Sequence, residues 1–166
     1  MATHLTGAAE YFAPGLTLSL CSAETCGDRH TYSWPCGKEY TVPLADAELG
    51  LWCRTYASVA AQLHLASTPA EVQAAQQRVA ELPPPPGTPE QQKMSLTQRM
   101  LGHVYEEMVA DRVPDAYVEF CGMTAYVWVA LGDDAAQQFW AAGGRPEAAR
   151  PANRAERRAA QRTGGS

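Results

Sequence analysis

The segment from Pro114 to about Leu131 constrains the fold more than any other part of the chain. At helical spacing its apolar residues form two stripes, so it predicts a helix that is apolar nearly all the way round. Apolar surface is stable only when it is removed from water, and such a helix therefore needs cover on both sides. We expect it to be the central helix of a mainly helical domain, or a helix buried against a partner.

Apolar periodicity and helix start signals predict four further helices. Asp46 is a candidate N-cap, and capping boxes start at Thr68 and Ser95. Together the predicted helices cover about 46–82 and 95–142, the last one following a break at Gly132 to Asp134. A Pro-rich spacer over 83–89 separates the two regions, because four successive prolines cannot continue a helix. We interpret it as a stiff loop within one domain rather than as a domain boundary.

Two short alternating runs precede the helices. Leu16 to Leu20 alternates strictly between apolar and polar residues, and Lys38 to Val42 ends at a proline, as β-strands do. They predict an N-terminal β-hairpin over about 16–42, which must pack on helices because two isolated strands are only marginally stable. The fold class is therefore mainly α, about five helices with a small N-terminal β-hairpin, in a single domain over 1–144.

Charge and composition exclude several classes of protein. Of 166 residues, 46% are hydrophobic and the net charge is −5, which argues against a strongly basic nucleic-acid binder. No stretch approaches the roughly 18 apolar residues of a membrane span, and the first residues lack the features of a signal peptide. Residues 145–166 carry six arginines and two glutamates. They predict a basic, flexible tail, either solvated or docked on an acidic partner.

Four residues between the two strands have the chemistry of a metal site. We call Cys21, Cys26, His30 and Cys36 the metal motif, since three thiolates and one imidazole suit tetrahedral zinc. The alternative is that the first and last cysteines only face each other at the hairpin ends while the histidine is solvated. Structural zinc is the only cofactor that the sequence suggests, and otherwise none is expected.

Enzymatic motifs are missing from the sequence. His103, Glu107 and Asp111 share one helix face, which could hold a metal, but the simpler interpretation is a solvated face. Nucleophile elbows, P-loops and dinucleotide fingerprints do not occur. Cys121 lies among apolar residues, where a thiol is typically buried and inert. We therefore expect a protein that is not an enzyme.

Several segments together carry a family resemblance. In the N-terminal half they are the apolar strand, a Gly-Lys-x-Tyr-x-Val strand and a helix that opens with an acidic residue and Leu-Gly. In the C-terminal half they are the helical segments and the arginine-rich ending. These segments, 16–20, 37–43, 47–51, 101–111, 124–128, 136–140 and 153–158, resemble a family of tail assembly chaperones from actinobacterial long-tailed phages (siphoviruses). The loop of the metal motif looks like an insertion relative to this family.

The resemblance implies a non-enzymatic role in phage tail assembly. Such chaperones bind the tape measure protein and keep it soluble in the host cytoplasm, and they are absent from the mature virion. A longer, frameshifted form of the chain and self-association are further expectations. From composition and charge, membrane and nucleic-acid partners are not expected. The apolar excess of the C-terminal helices predicts the surface that binds the tape measure protein: Val104, Met108, Tyr117, Phe120, Trp128 and Trp140.

Two other functions remain as alternatives. A small zinc-stabilised nucleic-acid-binding regulator would use the metal motif and the basic tail, although the net charge of −5 argues against it. A structural head–tail or virion protein would be found in purified particles.

Overall fold

The computed structural model describes residues 14–21 and 37–144. Within them the fold is mainly α, with a two-stranded antiparallel hairpin at the N-terminal side, as the sequence predicts. The strands are β1 (Gly15–Ser19) and β2 (Glu39–Pro43). The helices are α1 (Ala47–Leu65), α2 (Pro69–Ala80), α3 (Pro89–Gln92), α4 (Leu96–Leu101), α5 (His103–Ala110), α6 (Asp115–Leu131) and α7 (Asp133–Ala141).

The hairpin uses its alternation to present one apolar face to the helices. In its register Leu16 lies opposite Val42 and Leu18 opposite Tyr40. Leu18, Tyr40 and Val42 are buried, whereas the residues between them are exposed. A period of two places alternate side chains on opposite faces of a strand. The hairpin is therefore a lid on the helical core, as the sequence predicts.

Local signals set the starts of the helices. The Asp46 carboxylate accepts the Leu49 N–H at the start of α1. Complete capping boxes begin α2 at Thr68 and α4 at Ser95. Each cap satisfies backbone donors that would otherwise lack partners in the first turn. All three predicted N-termini are thus confirmed.

The structure has seven helices in its described part, whereas the sequence predicts about five. A third capping box, at Thr88, starts the short α3, which begins at the last residue of the predicted spacer over 83–89. The predicted helix behind Ser95 is broken into α4 and α5 at Gly102, whose backbone has φ +58° and ψ −132°. Such a conformation is open mainly to glycine, so Gly102 lets the chain turn between two helices.

Helix α6 is the central helix. It contacts α1, α4, α7 and strand β1, which accounts for its apolar residues on several sides. The helix therefore lies at the centre of a mainly helical domain, which is the first of the two arrangements predicted for it. The main core contains buried residues from both strands and four helices: Leu18, Tyr40, Val42, Leu49, Cys53, Met100, Leu101, Val104, Met108, Val113, Val118, Cys121 and Ala125.

The Pro-rich segment is fastened to the helices on both sides of it. The Trp52 indole donates to the Pro83 carbonyl over 2.8 Å. The Arg99 guanidinium donates to the carbonyls of Pro86 and Gln91. These bonds tie α1 and α4 to the same loop. The predicted tail over 145–166 lies outside the described residues.

Candidate functional site

The six residues predicted to bind a partner separate into three groups. Val104 and Met108 are completely buried in the main core, so the prediction is wrong for both side chains in this conformation. The α5 stripe to which they belong is apolar because β2 and α4 cover it. Tyr117, Phe120 and Trp140 lie together where α7 packs on α6, and Trp128 lies beside α1. The two latter places are described in turn.

The first place is an aromatic surface that we define as Tyr117, Phe120, Met123 and Trp140. The three α6 members follow one another at three-residue steps, so they lie on successive turns of the helix. Tyr117 is 39% exposed and Met123 is 40% exposed. Phe120 stacks on the Trp140 ring at a centroid distance of 4.6 Å and on Phe139 at 5.9 Å. The stacking holds two half-buried rings in place between the two exposed side chains.

Two members of the aromatic surface pack on buried residues beneath it. Phe120 packs on a small second cluster of Val127, Ala136 and Phe139, and Trp140 packs on the main core. Side chains that are locked by packing beneath them lose little entropy when a partner binds. The arrangement therefore presents a preformed apolar surface rather than a loose one.

The second place is a groove between the N-terminal half of α1 and the C-terminal half of α6. It encloses about 250 Å³ and is lined by Leu44, Ala45, Asp46, Ala47, Gly50, Arg54, Trp128 and Val129. Leu44 is 56% exposed, and the neighbouring leucines Leu51 and Leu131 are 60% and 50% exposed. The Trp128 indole N–H donates to an Asp133 carboxylate oxygen over 2.6 Å, which fixes one wall of the groove.

The sequence analysis did not predict this groove. Gly50 lines it, and Arg54, one helical turn further along α1, lines it as well. Arg54 forms no hydrogen bond or ion pair within the described residues 14–21 and 37–144. The available signal was the spacing of Asp46, Gly50 and Arg54, which repeats every four residues and so places all three on one helix face.

A charged cluster joins the hairpin to α5. Lys38 Nζ lies 2.9 Å from a Glu107 carboxylate oxygen and 2.5 Å from Asp111 Oδ2. The Tyr40 hydroxyl donates to the same Asp111 oxygen over 2.8 Å. Hydrogen bonds from Lys38 and then from Tyr40 lower the pKa of the Asp111 carboxyl group. Burial raises the pKa of the Tyr40 phenol, so it remains a donor at neutral pH.

This cluster corrects the interpretation of the α5 face. Of the three residues on that face, Glu107 and Asp111 pair with Lys38, with 40% and 19% of their side-chain surface exposed, and His103 is exposed. Among residues 14–21 and 37–144, no group of three or more metal-ligating side chains occurs. The face is therefore an attachment point for the hairpin. It is built from residues about 70 positions apart that no local pattern connects.

The metal motif lies largely outside the described residues. Of its four members only Cys21 is described, and its sulfur accepts the Gly37 backbone N–H over 3.3 Å. The bond brings the inner ends of the two strands together. Cys26, His30 and Cys36 fall in the part of the chain about which the structure says nothing, so structural zinc remains a prediction.

The thiols in the core are unsuited to chemistry. Cys53 is completely buried and lies 3.7 Å from the Met100 sulfur. Burial raises the pKa of the Cys53 thiol to about 11 and that of Cys121 to about 12. Because the thiolate is the reactive form, both behave as small apolar side chains. The expectation that Cys121 is buried is confirmed.

No helix in the described part of the chain is both long and apolar enough to cross a membrane.

Comparison with known proteins gives one family match. No curated protein and no solved structure matches the chain. Residues 7–166 match the family model of the domain of unknown function DUF7426. The match spans nearly the whole chain, from before the hairpin to the last residue, and the protein therefore belongs to the DUF7426 family.

Proposed function

We propose that this protein is a tail assembly chaperone of a long-tailed phage, which binds the tape measure protein and keeps it soluble while the tail is built. The proposal starts from the sequence resemblance described above. One structural observation carries it further: Tyr117 and Met123 of the aromatic surface are exposed on the central helix, whereas most of the other apolar side chains of that helix are buried or half-buried.

The chemistry of the aromatic surface suits a long apolar helix as ligand. Aromatic side chains and methionine are enriched where proteins bind each other, whereas lysine and glutamate are depleted there. Methionine adapts its shape to different partners, which suits a chaperone that binds many turns of one helical protein. Tyr117 and Met123 provide the exposed area, and Phe120 and Trp140 provide the rigid part.

The function is tested by co-expression with the tape measure protein of the same genome. We expect the tape measure protein to be soluble only in the presence of this chain and to co-elute with it in size exclusion. If it is equally soluble alone, or soluble without co-elution, the proposed function is wrong.

Variants locate the binding site. Tyr117→Glu and Met123→Glu each place a charge on the aromatic surface, and we expect both to lose co-elution. Leu65→Glu is the matched control, because Leu65 is 79% exposed at the far end of α1. It removes an exposed apolar side chain elsewhere and should leave binding unchanged. Equal loss in all three variants would indicate nonspecific apolar binding. Retained binding in both α6 variants would show that the tape measure protein binds elsewhere on this chain.

A further inference from the structure

The last described residue of the chain lies against the aromatic surface. Helix α7 is followed by two glycines, Gly143 and Gly144, with φ values of +67° and +82°. Both N–H groups donate to carbonyls near the end of the helix, in the pattern of a Schellman motif. A methyl group on Gly144 would lie 3.1 Å from a ring carbon of Phe120. Residues 145–166, the basic tail, therefore leave the domain at the edge of the aromatic surface.

The charge of the tail is opposite to that of the helices that it leaves. Residues 145–166 contain six arginines, two glutamates and no lysine, which gives a net charge of +4. Residues 103–144 contain seven acidic residues and one arginine, which gives −6. Asp115 and Glu119 are both exposed and lie one turn apart on α6, and Met123 of the aromatic surface lies one turn further along. The charges beside the aromatic surface therefore attract the tail.

We propose that the tail folds back onto the aromatic surface of its own chain, with arginine side chains over the rings and paired with Asp115 and Glu119. A guanidinium group stacks on aromatic faces and pairs with a carboxylate through two parallel hydrogen bonds. The aromatic surface and its two acidic neighbours offer both kinds of partner. The Glu119 carboxylate accepts a hydrogen bond from Thr97, and its other acceptor sites suit a second donor.

The tail starts close enough to cover the aromatic surface with its first residues. Tyr117 and Met123 are six residues apart on α6, which is about 9 Å at 1.5 Å per residue. Arg145 and Arg150 can be up to about 17 Å apart in an extended chain. Because tail and surface belong to one chain, their effective concentration is of millimolar order. Contacts too weak to hold two separate molecules together are therefore sufficient here.

The tail contact would regulate the proposed binding site, and this consequence rests on the proposed function. The tape measure protein must displace the tail before it binds the aromatic surface. Its apparent affinity is then reduced by the fraction of molecules in which the surface is open. The contact itself does not depend on the proposed function, because it involves this chain alone.

The test compares the full chain with two variants of its tail, without any tape measure protein. The glutamine variant removes the positive charges of the tail through Arg145→Gln, Arg150→Gln, Arg154→Gln, Arg157→Gln, Arg158→Gln and Arg162→Gln. The lysine variant has lysine at the same six positions, which keeps the charge but removes the planar guanidinium groups. The readout is the NMR chemical shift of the Met123 methyl group. The matched reporter is the Leu65 methyl groups, because Leu65 is 79% exposed at the far end of α1.

We expect the Met123 shift of the glutamine variant to differ from that of the wild type, while the Leu65 shifts stay the same. The lysine variant should lie between the two, since it retains attraction without stacking. Added salt should move the wild-type Met123 shift toward that of the glutamine variant, because exposed ion pairs are screened. A Met123 shift that is identical in all three chains, or an equal change at Leu65, overturns the proposal. A lysine variant that is indistinguishable from the wild type overturns the stacking on the rings.

A synthetic peptide of residues 145–166 provides the converse experiment. Added to the glutamine variant, it should bring the Met123 shift back toward the wild-type value and reach saturation. The wild type should respond less at the same peptide concentration, because its own tail competes. An equal response of both chains overturns the proposal.

Affinity for the tape measure protein separates this proposal from the proposed function. The glutamine variant should bind it more tightly, by about tenfold if the tail covers the surface in about nine-tenths of the molecules. A changed Met123 shift without a gain in affinity supports the tail contact and shows that the tape measure protein does not bind at the aromatic surface. A gain in affinity without any change at Met123 overturns the tail contact.

Discussion

Gly122→Ala should destabilise the protein, although alanine is the better helix former. Gly122 lies inside α6, where glycine costs about 0.8–1 kcal/mol relative to alanine. A methyl group there would lie 2.6 Å from Thr97 Cγ2, 2.9 Å from Thr97 Oγ1 and 3.0 Å from Thr97 Cα. The first of these is about 0.9 Å closer than the 3.5 Å at which carbon contacts become favourable. The α4 helix would have to move away from α6.

Displacement of Thr97 from its position would cost stability. It is 5% exposed, and its hydroxyl donates to the Glu119 carboxylate over 2.8 Å. Its branched Cβ is stiff, and one of the clashing atoms belongs to the backbone. Overpacking a tight core costs about 1–3 kcal/mol. After subtraction of the helix-propensity gain, we expect a net loss of up to about 2 kcal/mol, or up to roughly 8 °C in the thermal midpoint.

Gly50→Ala is the matched control. Gly50 is also buried within a helix, but a methyl group there would lie 3.4 Å from an Arg54 nitrogen and 3.9 Å from Val129 Cγ1. These are ordinary contacts, so the propensity gain should remain and the protein should gain about 0.8 kcal/mol. Two glycine-to-alanine changes therefore have opposite signs. Urea unfolding followed by circular dichroism at 222 nm measures both.

A double-mutant cycle identifies the cause. Thr97→Ala removes both clashing side-chain atoms, so in that background Gly122→Ala should cost at least about 1 kcal/mol less than in the wild type. If Gly122→Ala stabilises the protein as much as Gly50→Ala does, the close approach of α4 and α6 described here is wrong.

Further predictions concern the charged cluster and the cysteines. Tyr40→Phe should cost about 1.5–3 kcal/mol in urea unfolding, because it removes a donor to a carboxylate; a loss near zero would show that water replaces the hydroxyl. The lowered pKa of Asp111 stabilises the fold above the ordinary carboxyl value of 3.8, and this stabilisation is lost as the pH falls through the lowered pKa of the folded state. Lys38→Met should therefore flatten the acid side of the stability profile below about pH 5, and an unchanged slope would contradict the Asp111 shift. Iodoacetamide at pH 7.5 should label Cys53 and Cys121 only after unfolding, as read by peptide mass spectrometry; rapid labelling of the native protein would contradict their burial. The metal motif predicts one zinc per chain by native mass spectrometry, and a chelator should release this zinc. A zinc-free protein of full stability would show that the prediction of structural zinc is wrong.

Local sequence signals predict the fold well where they act within one turn or one strand. The caps at Asp46, Thr68 and Ser95 and the alternation in β1 involve neighbours only, and all are confirmed. The break at Gly102 escapes such reasoning, because a single glycine within a helical pattern is more often tolerated than used for a turn.

Contacts between distant segments limit prediction of the candidate site. Periodicity shows that Val104 and Met108 share an apolar stripe, but it cannot show that β2 covers that stripe. The same limit hid the Lys38 cluster, since its members come from different elements. Exposure of Tyr117 and Met123 likewise depends on how α7 packs on α6, which no local pattern fixes.

The attachment of the hairpin to α5 sets the order of events during synthesis. Tyr40 and Asp111 are 71 residues apart, and a hairpin of two strands is marginal without its helical support. At about 5–20 residues per second, the ribosome needs roughly 4–14 s to make the intervening chain. During this interval the apolar face of Leu18, Tyr40 and Val42 has no α5 or α6 to cover it. The earliest strands of the nascent chain are therefore among the last elements to become stable.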